Sequence, residues 1–273
     1  MRTHLAFLLA PALLAAVPAS AQSAWAGGYL GLEAGQSEFS GGDDAGILFD
    51  TNLDGQFGDT VRTGAGANAF SPGFCGGGAI GRTPGEGCAG DDAGDDFGVR
   101  LGYDWQSSAW VFGLLADYSM SDAEDSVAAF STTPASYTMS REIDNIVAVR
   151  ARVGFSFGGD SNLIYATAGY ARAQIENSFA TTNAVNTFLN NGDSEADGPQ
   201  YGAGYEHLFG EHVALGIEYL FSDLKDDEYR VRAQGPAPAT NPFILVNGAG
   251  TDFRRSDEDL ELESLRLTLS YRF

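Results

Sequence analysis

A chain of 273 residues with a net charge of −22 and a single lysine, Lys225, is a polyanion. It is unsuited to non-specific nucleic-acid binding, which draws its free energy from cations that release counterions from phosphates. Two cysteines and no histidine between His4 and His207 exclude a dense disulfide framework and argue against a zinc centre, while the roughly 250 residues after the first two dozen are enough for one large all-β domain or two small ones.

In chain order, Arg2 precedes an apolar run from Leu5 to Val17, and Ala19-Ser20-Ala21 has small-x-small character. This reads as a secretory signal over residues 1–21, because the run is broken by Pro11 and falls short of the roughly 20 apolar residues a spanning helix needs. Residues 22–273 then form one domain. The first strand candidate is "GGYLGLEAGQSEF", from about Tyr29. A glycine-rich stretch of about residues 40–95 follows, containing two short β-prone runs around an Asp54-Gly55 hairpin signal. In an exported chain, Cys75 and Cys88 within this stretch read as one local disulfide, the alternative being two free thiols.

Strict alternation then takes over. "DFGVRLGYDWQ" sets Phe97, Val99, Leu101, Tyr103 and Trp105 against polar neighbours, and "NIVAVRARVGFSF" does the same with Val147, Val149, Ala151, Val153, Phe155 and Phe157. "VALGIEYLFS" and the closing "SLRLTLSYRF" repeat the pattern. A period of two over this length means strand, not helix. Eight strands are expected, starting near Tyr29, Phe97, Trp110, Ile143, Leu163, Gln200, Val213 and Leu260. The connections after the second, fourth and sixth are tight ("SSA", "GGDSN", "GE"), whereas the others are long. That alternation, with glycine and isolated charges on the polar face, predicts a closed antiparallel transmembrane β-barrel with short periplasmic turns and long extracellular loops in the outer membrane. The runs "FILVNGAG" and "EYRVRAQ" predict strand extensions above the membrane, or a ninth and tenth strand. Trp105, Trp110, Phe155, Phe157, Tyr165, Phe209, Tyr271 and Phe273 near strand ends read as interfacial girdles.

The segments "GGYLGLEAG", "FGVRLGYDWQSSAWVFGLLADYS", "VRARVGFSFGGDSNLIYATAGYARA", "YGAGYEHLFGEHVALGIEYLFSDL" and "LRLTLSYRF" resemble the small outer-membrane β-barrel family of Gram-negative bacteria, the porin-like and opacity-protein relatives of the OmpA membrane domain. The resemblance covers every expected strand but not the long loops. It implies that Phe273, with Tyr271, is the signal read by the barrel-assembly machinery. A chain closing its barrel at Phe273 is expected to carry no peptidoglycan-binding module behind it.

Turning the polar face inward places Glu33, Asp96, Asp104, Asp117, Glu206 and Glu218 in the lumen with Arg100, Arg150, Arg152, Arg172, Arg266 and Arg272. Charges in so narrow a space must pair or be hydrated. They form either a salt-bridged plug or a narrow gated path whose arginines favour anions. No enzyme is expected: nucleophilic catalysis needs a base beside Ser or Thr, and His207 and His212 flank the "LFGE" turn on the periplasmic rim. No cofactor is implied. The acidic loop clusters (Asp43/Asp44, Asp91/Asp92/Asp95/Asp96, Asp226/Asp227/Glu228, Asp257/Glu258/Asp259) read as solvated surface, with divalent cations as the alternative ligand. Glu261 and Glu263 share parity with the lipid-facing Leu265, which requires either that they stand above the hydrocarbon or that a bulge switches faces. The reading is a structural or surface protein with at most weak porin-like permeability. Its alternatives are a dedicated solute or ion pore, and an adhesin or ligand-binding protein acting through its loops. The expected partners are outer-membrane lipid and lipopolysaccharide, besides the assembly machinery.

Overall fold

The computed structural model describes residues 23–41 and 45–273; the expected signal segment and the Asp43/Asp44 pair lie outside the described residues. In chain order its strands are β1 (Gly27–Phe39), β2 (Ile47–Asp50), β3 (Gly73–Gly76), β4 (Gly94–Ser107), β5 (Trp110–Ser121), β6 (Glu124–Ser131), β7 (Ala135–Phe157), β8 (Asn162–Thr181), β9 (Thr187–Asn190), β10 (Ser194–Phe209), β11 (Val213–Lys225), β12 (Val231–Gln234), β13 (Thr251–Arg255) and β14 (Asp259–Arg272).

Eight of them close an antiparallel ring in the order β1, β4, β5, β7, β8, β10, β11, β14, the eight strands that alternation predicts. The last pairs with the first from Tyr29↔Arg272 to Phe39↔Leu262, so no backbone edge is left to face lipid. Alternation becomes burial: Leu265, Leu267 and Leu269 are exposed on the outer wall, while Ser264, Arg266, Thr268 and Ser270 are buried inside. The tight turns sit where the chain takes positive φ, at Ser108, at Gly158 to Asp160 and at Gly210.

β7 and β8 have 23 and 20 residues, about twice the 9–11 that a tilted membrane strand needs. Their upper halves therefore rise above the bilayer, and β6 and β3 join them there. Near this level a bulge at Asp144 changes the inward parity of β7 from Met139, Arg141 and Ile143 to Ile146, Ala148 and Arg150. β14 has no such slip. Its pairing stays in register past Glu261 and Glu263, which point outward at the top of the wall, where Glu263 accepts a hydrogen bond from the Tyr219 hydroxyl at 2.8 Å. They stand above the hydrocarbon.

The loop segments form neither extensions of barrel strands nor a ninth and tenth member. β2, β13, β12 and β9 make a separate four-stranded sheet drawn from three different loops. Runs of four or five residues are too short to cross a membrane, and Ile47, Phe49, Val231 and Phe253 instead bury their side chains in a core over the barrel mouth. The "FILVNGAG" segment is a turn region outside these strands. Asp54-Gly55 makes no hairpin. The Asp50 carboxylate accepts the backbone N–H groups of Leu53 (2.7 Å) and Gly55 (2.8 Å), which curls the chain away and leaves β2 to pair with β13. Cys75 and Cys88 are joined in a disulfide that closes the glycine-rich lobe of the first loop onto β3.

Candidate functional site

The lumen is lined from the inner face of every barrel strand. An eight-stranded barrel is just wide enough for side chains to fill it, and here guanidinium and carboxylate groups alternate along its length. Arg272 pairs with Asp104 (2.6 Å), Asp104 with Arg152, and Arg152 with Glu206 (2.9 Å). Glu206 faces Arg100 (3.9 Å), which pairs with Glu218 (2.5 Å). Glu218 also holds Arg150 (3.1 Å), and Arg150 meets Asp117 at 3.2 Å. Asp117 leads to Arg266 (3.4 Å) and Arg266 to Asp96 (2.7 Å), while Glu33 bridges Arg100 and Arg266 at 3.0 and 2.9 Å. None of these eleven side chains is more than 5% exposed.

Glycine on the inner face makes room for this arrangement. A Cβ on Gly102 would lie 2.4 Å from the ring of Tyr29, and one on Gly204 would lie 2.4 Å from the ring of Tyr165. Both rings sit against the Arg152 guanidinium, with centroids 4.8 and 5.0 Å away, and the Tyr165 hydroxyl donates to Glu218 at 2.8 Å. The charged chain is enclosed at both ends. Above it lie Ile143, Ile146, Ile175, Leu224, Leu260 and Leu262. Below it, Trp25 packs with Val111, Leu163, Leu208 and Ala214, its indole N–H donating to the Asp160 carbonyl at 2.9 Å.

The structure moves two residues across the wall. Arg172 is on the outside, with its side chain 60% exposed and paired to Glu195, because its parity is that of Ile164 and Tyr170. Tyr165, expected in a lipid-facing girdle, is buried inside. Segment "IYATAGYARA" carries small residues on both faces, so alternation alone does not say which face is in. The lumen consequently holds six carboxylates and five arginines, and the surplus is acidic. The exposed Arg172 pair is expected to contribute little: Arg172→Ala should change unfolding free energy in urea by less than about 1 kcal/mol.

Sequence reasoning passed over Trp25 and Tyr29. Tyr29 had a signal in its parity with Glu33. Trp25 precedes the first alternating residue and had none. His207 and His212 stand at the periplasmic rim, their Nδ1 atoms donating to Asn162 Oδ1 (2.9 Å) and to the Arg272 carbonyl (3.0 Å). Among the described residues, no group of three or more His, Cys, Asp or Glu side chains is arranged to hold a metal ion.

The 31 kDa outer-membrane immunogenic proteins of Brucella melitensis biotype 1 and Brucella suis biovar 1 are each 27% identical to this chain over 128 residues, 46% of this chain and 52% of theirs. The chain thus spans about half the length of the curated relatives it matches. The crystal structure of the outer membrane protein OprG from Pseudomonas aeruginosa superposes with a TM-score of 0.47 at 12% identity, covering 91% of this chain and 97% of that one. The family model of the outer membrane protein beta-barrel domain matches residues 7–273, and with its closed ring of eight strands the chain belongs to that family of outer-membrane barrels.

Proposed function

We propose that this protein is a closed outer-membrane scaffold with a structural or surface role and at most weak porin-like permeability. The observation that carries the reading is the unbroken chain of ion pairs from Arg272 to Asp96, enclosed between apolar layers. Ions cross a pore when charged rings line water and bind weakly enough to release them. Here each guanidinium is already matched by protein carboxylates. Expressed as single-channel conductance of the purified chain in a planar bilayer, the expected result is silence, with heat-modifiable gel mobility reporting a folded barrel. Steady openings that an Arg150→Ala/Arg152→Ala variant alters would overturn it in favour of the dedicated pore.

The surface part of the reading is supported by the loops, which fold into a cap with its own core rather than remaining loose. One tie to the barrel strands runs through Arg255 of β13, which donates to the Met139 carbonyl of β7 at 3.2 Å and pairs with Asp125 of β6 at 2.7 Å beside the pair of Asp125 with Arg141 of β7. Burial and the neighbouring Arg141 hold the pKa of the Arg255 guanidinium below its usual value, and Asp125, paired with both cations, opposes that shift. The positions of the two histidines, bonded to Asn162 and to a carbonyl rather than to a hydroxyl nucleophile, support a non-enzymatic role. Tyr271 and Phe273, both exposed on the outer wall with ring centroids 5.3 Å apart, are available to the assembly machinery. The outer wall would contact lipid and lipopolysaccharide.

A further inference from the structure

β8 is paired on both sides only as far as Ile175. Its ladder with β10 ends at Ser194↔Ile175, whereas β7 accompanies it to Thr181. From Glu176 to Thr181, about 20 Å of strand, one edge has no partner strand among the described residues. The cause is local. At Gly192 the chain takes a φ of 92°, and the residues before it turn off to the cap, where the Asn191 N–H donates to the Arg230 carbonyl (3.2 Å) and β9 pairs with β12. Two bonds fix the direction of the backbone groups. The Asn177 N–H donates toward β10, to the Asp193 carboxylate (3.3 Å), while the Thr182 N–H donates toward β7, to the Ser136 carbonyl (3.1 Å). Groups two residues apart share a side, so Phe179 and Thr181 turn their N–H and C=O groups to the bare edge.

Proteins blunt such edges with lysine, proline or a bulge. The run Asn177-Ser178-Phe179-Ala180-Thr181 has none of these: it carries no charge and no proline, its pairing with β7 stays in register, and Ser178 and Ala180 are exposed. It lies in the half of β8 that rises above the bilayer. At its foot is a cavity of about 460 Å³ lined by the carboxylates of Asp144, Glu176, Asp193, Glu195 and Glu228. Among the described residues only Glu195 of these five has a salt-bridge partner, Arg172. Glu176 also stands directly across the ladder from Glu142, a like-charge pairing that costs stability.

An unpaired strand edge offers its N–H and C=O groups at the repeat of another strand, and the carboxylates at its foot favour cations. We propose that the upper edge of β8 binds an extended basic peptide segment of a partner protein, added as a strand beside Asn177 to Thr181 with its basic side chains in the acidic cavity. Main-chain bonds supply the affinity of such an addition, and charge complementarity selects the partner. A second copy of this chain is a poor occupant, because two chains of net charge −22 would meet at acidic edges. This deepens the surface-role reading and rests on it.

A labelled peptide of alternating lysine and threonine, titrated into the full detergent-solubilised chain, tests the site by fluorescence anisotropy. Its fully N-methylated form keeps the charge and loses every backbone donor. That form is expected to bind about tenfold more weakly, the effect of losing two backbone hydrogen bonds. Glutamate in place of lysine should abolish binding. Glu176→Gln/Glu228→Gln should weaken the lysine peptide about fivefold, as the loss of two exposed ion pairs does. Both residues are exposed, so the fold stays intact, and heat-modifiable mobility checks this. Hydrogen exchange locates the peptide: the Phe179 and Thr181 amides should slow when it binds, while those of Ser178 and Ala180, turned to β7, stay unchanged. No binding of the lysine peptide at millimolar concentration, equal binding of the N-methylated form, indifference to the double variant, or unchanged exchange at Phe179 and Thr181 would overturn the proposal. Failure here beside a silent bilayer ends the edge site and leaves the closed scaffold. A conducting bilayer with Phe179 and Thr181 protected by the peptide does the reverse.

Discussion

Replacing Glu218 with alanine should destabilise the barrel by about 3–5 kcal/mol, the range for removing one partner of a buried ion pair. Glu218 is the most shared group in the lumen: Arg100 at 2.5 Å, Arg150 at 3.1 Å and the Tyr165 hydroxyl at 2.8 Å all converge on it. Its loss takes the nearest carboxylate from two fully buried guanidinium groups between apolar layers, leaving Arg100 to Glu33 and Glu206 and Arg150 to Asp117. Urea unfolding in lipid vesicles measures the cost. Removing Arg150 as well, in a Glu218→Ala/Arg150→Met variant, should recover part of it, because one of the two buried cations that lost a partner is then gone. The two substitutions share a contact, so they are expected to be non-additive. A loss below about 1 kcal/mol for Glu218→Ala would mean that water already screens the site as it does an exposed pair. The closed-lumen reading would not survive that result.

The second large effect tests the hydrocarbon belt. Leu267→Arg and Val149→Arg put a charge on the outer wall, where both native side chains are about 60% exposed, and each should cost about 2–4 kcal/mol near the bilayer midplane. The informative control lies on the same face of the same strand. Glu261 points outward like Leu267 but stands above the hydrocarbon, so Glu261→Arg should cost about 0–1 kcal/mol. Equal costs at the two depths would sink the assignment of the belt. A lumen-side arginine is a poor control. Ser156 is buried and donates to Asp160 at 2.6 Å, so Ser156→Arg would overpack the filled interior.

Alternation is a local property, and it carried the wall of this protein. Phe97 to Trp105, Val147 to Phe157 and Leu265 to Phe273 each show which face meets lipid, because one face is uniformly apolar and the other is not. Eleven of the twelve charged residues assigned to the lumen by parity lie there. Arg172 does not, because its strand has alanine on both faces and gives parity nothing to register against. The same ambiguity hid Tyr165, whose place is set by the space that Gly204 leaves on the neighbouring strand. The loop strands show the limit more clearly. β2 pairs with β13 about two hundred residues later, and the Asp54-Gly55 turn beside it has the local composition of a hairpin it does not make.

The sequence by itself determined the strands, the short and long sides of the barrel, and the face each residue of a well-patterned strand presents. These follow from the two-residue period of the pleat and the residue types that turns accept. Only the tertiary structure decided which carboxylate meets which arginine, that Trp25 closes the periplasmic mouth, and that four loops fold into one cap. Those are contacts between distant segments, fixed by barrel closure and by the packing of Phe49, Phe70, Tyr137 and Phe253, and no local pattern encodes them.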